Sequence, residues 1–172
     1  MGADLYIEAV HEPIEKKCRP LFQKAVTERN RLGALGDKKG EESAQKRVDR
    51  LYKRMFSKGY FRDSYNHSSV LWRMKLSWWK DVGPKCSEKD GNLDIGGVQW
   101  LLEQVQSRPL KKLTLEEVQK PSSMDGNRGW DEPKATQKDV DEWNRYFAKR
   151  KRALVAFLKQ AITLHQPITC SL

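Results

Sequence analysis

The chain has 172 residues, of which 38% are hydrophobic and 33% are charged, and its formal net charge is +10. This length suits one domain with a hydrophobic core, and we predict a single helical domain over residues 1–172. No apolar run reaches the roughly 18 residues of a membrane span. The N-terminal residues lack the basic start and the apolar stretch of a signal peptide. These features predict a cytoplasmic protein that does not enter a membrane.

The three cysteines, Cys18, Cys86 and Cys170, are widely spaced and odd in number. This pattern indicates a reducing compartment and three ordinary buried thiols rather than a disulfide framework. A metal site built from His11, Cys18, His165 and Cys170 would require the two chain ends to meet. No CxxC or HxxxH pair preorganises such a site. The sequence therefore predicts neither a metal nor a cofactor.

Three helices are predicted in the first half of the chain, after a short extended segment at residues 4–10. A helix over 20–32 begins at Pro20, a residue that suits the first helical turn. A second helix over 41–57 has apolar residues at helical spacing and is followed by the C-cap residue Gly59. A third helix over 70–79 is apolar around most of its circumference, which is typical of a buried central helix.

The second half of the chain predicts three further helices and one long loop. The helices cover 95–106, the short segment 114–120 with the capping-box pattern Thr114-x-x-Glu117, and the long segment 136–164. An irregular internal loop covers 121–135, and Ile168 belongs to a short extended C-terminal piece. The inward stripe of the long helix contains Val140, Trp143, Phe147, Leu154, Phe157, Leu158 and Ala161. The predicted fold is a compact all-α domain of five or six helices, with short extended N- and C-terminal pieces.

Positive charge is concentrated in two blocks. Residues 16–62 contain fifteen Lys and Arg against five Asp and Glu, and residues 142–172 contain six against one. The outward cations are Lys46, Arg50, Arg54 and Lys58 on the second helix and Arg145, Lys149 and Arg152 on the last. Such rows predict contact with the phosphates of DNA or RNA. An acidic protein partner or an ordinary solvated helix face would explain the same rows.

Six aromatic residues lie in the segment 59–82. Tyr60, Phe61 and Tyr65 follow the basic helix and could stack on the bases of a single strand. The alternative is that Tyr60, Phe61, Trp72, Trp78 and Trp79 form the core. We favour the alternative, because helical spacing explains the tryptophans without a ligand.

No established catalytic motif is present, so we predict no catalytic residue and lean against an enzyme. The chain lacks a phosphate-binding GxxxxGK[ST] loop and a nucleophile elbow. A polar cluster at Asp63, Tyr65, Asn66 and His67 is the one place for an unfamiliar enzyme site, although such clusters more often tie a loop to a helix. The segment from Cys86 to Gly97 contains part of a calcium-loop pattern, but its first and twelfth positions are not ligands. We therefore interpret it as a turn that leads into a helix.

The segments GADLYI, YFRDSYN, LSWW and ITCSL are similar to segments of uncharacterised bacterial and phage proteins. This resemblance implies a prokaryotic or viral cytoplasmic protein and brings no activity with it. Three functional hypotheses remain open. They are a non-enzymatic accessory protein that binds nucleic acid, a phage or host-defence module that docks on an acidic protein, and an enzyme with a site near residues 63–67.

Overall fold

The computed structural model describes residues 2–64, 68–119 and 135–171. Helices account for 66% of the protein and strands for 11%. The prediction of a largely helical protein is therefore confirmed, whereas the all-α class is wrong. The predicted loop over 121–135 lies almost entirely outside the described residues.

Four short strands form an antiparallel sheet. They are β1 (Gly2–Tyr6), β2 (Tyr60–Ser64), β3 (Asn92–Leu93) and β4 (Ile168–Ser171), in the order β2-β1-β4-β3. The central strand β1 pairs Leu5 with Phe61 on one side and with Cys170 on the other. The predicted extended C-terminal piece is thus confirmed, whereas the predicted N-terminal piece over 4–10 is confirmed only up to Tyr6, because α1 begins at Glu8. Backbone hydrogen bonds join the two pieces in one sheet.

Five α-helices complete the described architecture. They are α1 (Glu8–Ala34), α2 (Lys38–Met55), α3 (Ile95–Ser107), α4 (Leu115–Gln119) and α5 (Gln137–Thr163). The predicted boundaries of α2, α3, α4 and α5 are confirmed within a few residues. The first helix is longer than predicted, because it begins at Glu8 and continues through Pro13 and Pro20. Its N-terminal part packs the His11 ring 5.0 Å from that of Tyr6.

The helices α1 and α2 form an antiparallel hairpin, which we call the helical arm. Its base lies against the sheet, where the His11 ring stacks on Phe56 and on Tyr60. Beyond Ala25, no residue of α1 is buried. A helix of 27 residues is about 40 Å long. The helical arm is therefore a long, mostly solvent-facing element.

The predicted third helix over 70–79 is wrong. This segment forms a 3₁₀ turn at Trp72–Met74 and a π-helical turn at Trp78–Val82. Between the two turns, Lys75 adopts a left-handed conformation with φ of 57°, which interrupts any α-helix. The segment is nevertheless buried centrally, as its composition predicts, since Val70, Leu71, Met74, Leu76, Trp78 and Val82 all belong to the core.

The core lies between one face of the sheet and the helices α3 and α5. Leu5 and Phe61 point inward from β1 and β2, and the Phe61 ring lies 6.1 Å from that of Phe157 on α5. Alternate residues of a strand point to opposite faces, so Tyr60 points outward to Phe56 at the base of the helical arm. The sheet thus separates the helical arm from α5.

A glycine substitution tests the close contact at the base of the helical arm. Gly59 has φ of +64°, and a Cβ atom there would lie 2.7 Å from Cβ of Val10 and 2.9 Å from the backbone nitrogen of His11. We expect Gly59→Ala to lower the free energy of unfolding by about 2–4 kcal/mol, since backbone strain and a clash add together. Urea denaturation measures this change.

Gly36→Ala is the matched control. Gly36 also has a positive φ, +72°, but no described heavy atom lies within 4 Å of the Cβ position. We expect this variant to lose only about 1 kcal/mol from backbone strain. Equal losses in the two variants would contradict the close contact.

Candidate nucleic-acid interface

The four predicted cations of the second helix form an exposed row on the helical arm. Lys46, Arg50 and Arg54 are spaced four residues apart on α2, and Lys58 follows the end of the helix. The N-terminus of α2 is fixed by Asp37, whose carboxylate accepts a hydrogen bond of 3.0 Å from the backbone nitrogen of Gly40. A spacing of four residues places side chains on neighbouring turns of the same helix face. The predicted row is therefore presented on one element.

Three of the six Lys and Arg residues of the neighbouring helix α1 are neutralised locally, unlike this row. Lys16 pairs with Glu12 at 2.7 Å, Arg31 pairs with Glu28 at 2.8 Å, and Arg19 pairs with Glu15. Within the described ranges, Lys46, Arg50, Arg54 and Lys58 take part in no ion pair. Half of the α1 cations are thus paired with carboxylates, whereas the whole row on α2 remains available to a partner.

The second predicted group of cations lies elsewhere. Arg145, Lys149 and Arg152 are exposed on α5, which begins with a capping box between Thr136 and Asp139. Because α5 packs on the inner face of the sheet and the base of the helical arm packs on the outer face, the two groups form separate surfaces. The structure does not bring the seven predicted cations together.

Of the three predicted base-stacking residues, the two that the structure describes do not form an exposed platform. Phe61 is only 4% exposed, and the guanidinium of Arg150 lies over its ring at 4.3 Å, so assigning it to base stacking is wrong. Tyr60 is half-buried, and its hydroxyl donates a hydrogen bond to Asp4. Burial and this hydrogen bond raise the pKa of Tyr60. Tyr65 lies outside the described residues.

The core interpretation of the aromatic segment is correct only in part. Trp78 is buried at 2% exposure, as predicted. Trp72 and Trp79 are 55% and 57% exposed, so their placement in the core is wrong. Because the segment contains no α-helix, the helical spacing that assigned these rings to the core does not apply.

Asp63 is a buried carboxylate that organises the segment after β2. Its oxygens accept hydrogen bonds from the Ser69 hydroxyl at 2.7 Å, the Val70 backbone at 3.0 Å and the Trp78 indole nitrogen at 2.9 Å. These donors use the carboxylate fully and connect the strand to the core. This arrangement supports a structural role for Asp63, while Asn66 and His67, the other members of the proposed enzyme site, lie outside the described residues.

The calcium-like segment forms a turn, as predicted. Gly91 adopts φ of +68°, the Asn92 backbone donates to Asp90 at 3.0 Å, and Asp94 caps α3 through the backbone of Gly97 at 2.7 Å. In the part of the chain that the structure covers, no three His, Cys, Asp or Glu residues cluster as a metal site would require. None of the described helices is long and apolar enough to cross a membrane.

Two of the three thiols are neighbours. Cys86 forms an isolated bridge to Leu93, and Cys170 hydrogen-bonds through its backbone to Gly91 on the same turn. The neighbouring Cys170 thiol lowers the pKa of Cys86, whereas the Cys86 thiol and burial raise the pKa of Cys170. Cys86 is half-buried and is therefore not an ordinary buried thiol.

An open groove, which the sequence did not predict, lies between β2 and the first half of α5. Its volume is 890 Å³, within the usual range of small-molecule sites, and its lining includes Arg62, Ser64, Glu142, Trp143, Tyr146 and Arg150. Trp143 and Tyr146 are 44% and 46% exposed, so Trp143 is not part of the inward stripe as predicted. Helical periodicity places Trp143 on the inward side of α5. Periodicity does not reveal where a helix extends past its neighbours, so the prediction fails there.

Comparisons with known proteins give no match. No protein-family model matches the chain, and neither does any curated protein or solved structure. The resemblance to bacterial and phage proteins therefore stays a prediction.

Substitution of Asp63 tests its organising role. We expect Asp63→Ala to lower the free energy of unfolding by about 3 kcal/mol, because several buried donors lose their acceptor. Glu88→Ala is the control, since Glu88 is exposed and unbonded among the described residues, and it should change stability by less than about 0.5 kcal/mol. A loss below about 1 kcal/mol for Asp63→Ala would contradict this role.

Thiol labelling tests the Cys86–Cys170 contact. At pH 7.5 we expect iodoacetamide to modify Cys86 at least about tenfold faster than Cys18 or Cys170, because it is more exposed and its thiol pKa is lowered. Peptide mass mapping measures the three rates. Cys170→Ala removes the neighbouring thiol that lowers the pKa of Cys86, so it should slow labelling of Cys86. An unchanged rate would show that Cys170 does not activate its neighbour.

Proposed function

We propose that this protein is a non-enzymatic accessory protein that binds DNA or RNA through the basic face of α2, with α5 providing a second basic surface. The observation that carries the proposal is the row Lys46, Arg50, Arg54 and Lys58, which is exposed and without ion pairs among the described residues. Contacts to phosphates dominate nucleic-acid affinity and require little beyond accessible cations. The same proposal includes a prokaryotic or phage origin and a cytoplasmic location.

The composition of the α2 surface favours a polyanion over an acidic protein. Protein–protein interfaces have an apolar or aromatic core surrounded by a polar rim. Among the large apolar residues of α2, only Tyr52 is strongly exposed, at 46%. A nucleic-acid backbone needs no such core. An acidic protein partner therefore remains the competing outcome of the binding test.

Salt-dependent binding tests the proposal. Fluorescence anisotropy would measure affinity for short single- and double-stranded DNA and RNA at several salt concentrations. Arg50→Gln/Arg54→Gln should weaken binding to every nucleic acid and reduce the slope of log K against log salt by about 2, since two phosphate contacts disappear.

Arg19→Gln/Arg31→Gln is a matched control on the other helix of the arm. It removes the same amount of charge, but these cations are already paired with Glu15 and Glu28. We expect a slope change of less than about 1. Absence of binding at low salt would refute the proposal and direct the search to an acidic protein, while equal effects of the two double variants would refute the assignment to α2.

A further inference from the structure

The groove between β2 and α5 has different chemical groups at its two ends, whereas the basic face of α2 presents a row of cations. The residues that α5 contributes to the middle and ends of the groove follow one another along one side of the helix, in the order Glu142, Trp143, Tyr146 and Arg150. Eight residues of α-helix separate Glu142 from Arg150, a distance of about 12 Å along the axis. The groove therefore has the carboxylates of Asp139 and Glu142 at one end, aromatic rings in the middle and the Arg150 guanidinium at the other end.

The aromatic middle of the groove is supported from below. The Trp143 ring stacks on Phe147 with centroids 5.9 Å apart, and its edge meets Tyr146 at 5.6 Å. Phe147 is itself buried, with the guanidinium of Arg73 lying 5.4 Å from its ring centroid. Trp143 is thus held against the protein and remains 44% exposed. A supported and exposed indole is a suitable surface for stacking a flat ring.

The charged groups at both ends of the groove are available to a ligand. Arg150 has no carboxylate partner among the described residues, and its guanidinium rests on the Phe61 ring. Arg62 also contributes to the lining, but its guanidinium lies on the outer face of β2, 3.7 Å from Asp4. At the other end, Glu142 is exposed and makes no hydrogen bond or ion pair in the part of the chain described. The groove can therefore accept an anion at one end and hydrogen-bond donors at the other.

We propose that this groove binds an unpaired nucleotide of a single-stranded nucleic acid, with its phosphate at Arg150, its base stacked on Trp143, and an amino group of the base donating to Glu142. This inference rests on the proposed function and adds to it a preference for single strands. A duplex does not fit, because its bases are stacked on each other and their faces are not accessible. Cytosine, adenine and guanine carry an exocyclic amino group that a carboxylate accepts, whereas thymine and uracil carry none.

The test compares three ligands of equal length by fluorescence anisotropy, namely an oligo(dC) strand, an oligo(dT) strand and a mixed-sequence duplex. We expect Trp143→Ala to weaken binding of both single strands at least about fivefold and to leave duplex affinity within about twofold. Trp72→Ala is the control, because Trp72 is 55% exposed and does not line the groove. Tyr146→Ala is a second groove variant. It keeps the inference testable if Trp143→Ala fails to fold.

Base selection gives an independent result. We expect the wild-type protein to bind oligo(dC) about five to ten times more tightly than oligo(dT), since a hydrogen bond to a charged group is a strong one. Glu142→Gln should reduce this preference to less than about twofold, because the amide both donates and accepts and so serves either base.

The outcomes separate this inference from the proposed function. If Arg50→Gln/Arg54→Gln weakens binding of all three ligands while the Trp143 and Tyr146 variants do not affect single strands selectively, the groove inference is overturned and the basic-face proposal stands. If none of the three ligands binds, the proposed function itself fails.

Discussion

The carboxylate of Asp63 is the interaction on which the central part of the structure depends. It provides, near the end of β2, an acceptor that Ser69, Val70 and Trp78 all use. The segment that follows has no regular helix to satisfy its backbone donors, and buried donors without an acceptor are costly. Asp63 therefore allows an irregular segment to occupy the middle of the core, where Leu71, Met74 and Trp78 fill space between sheet and helices.

Pairing of the central strand β1 connects the part of the structure around Asp63 to the rest of the molecule. Its hydrogen bonds to β2 and β4 join two segments that lie about 60 and 165 residues away in sequence. Contacts between such distant segments carry a cost in chain entropy that the buried apolar surface must offset. The strand also separates two environments, since Leu5 faces the core while Tyr6 faces the base of the helical arm. The sheet is small, but it determines which side of the protein each basic surface occupies.

The sequence predicts the helices well where a single periodic pattern and a recognisable cap coincide. Helix α5 has its capping box at Thr136 and Asp139, and α4 has the hydrogen bonds of Thr114 and Glu117. The sheet was not predictable from pattern, because strands of two to five residues are too short for alternation to distinguish them from loops. Only the extended character of the two chain ends was recognised, and their pairing depends on contacts that local sequence does not encode.

The candidate functional residues show the same contrast between what local patterns predict and what depends on tertiary contacts. Exposed positions on α2 were assigned correctly, since a helix with a clear apolar stripe also defines its solvent-facing side. Aromatic residues were assigned poorly, because burial of a large ring depends on its tertiary neighbours. Phe61 lies under Arg150, whereas Trp72 and Trp143 remain exposed. The groove depends on the approach of β2 to α5, which no local pattern indicates.

Separation of the two surfaces by the sheet has a consequence for binding energetics. Groups that share no partner and lie well apart contribute nearly independently, so charge changes on α2 and changes in the groove should be close to additive. The helical arm, with its unpaired cations, suits attraction of any polyanion and is sensitive to salt. In the proposed binding mode, the groove, with its aromatic rings and the Glu142 carboxylate, would distinguish one base from another. Affinity and selectivity in this protein would therefore reside in different elements, and a partner would need to reach around the edge strand β2 to use both.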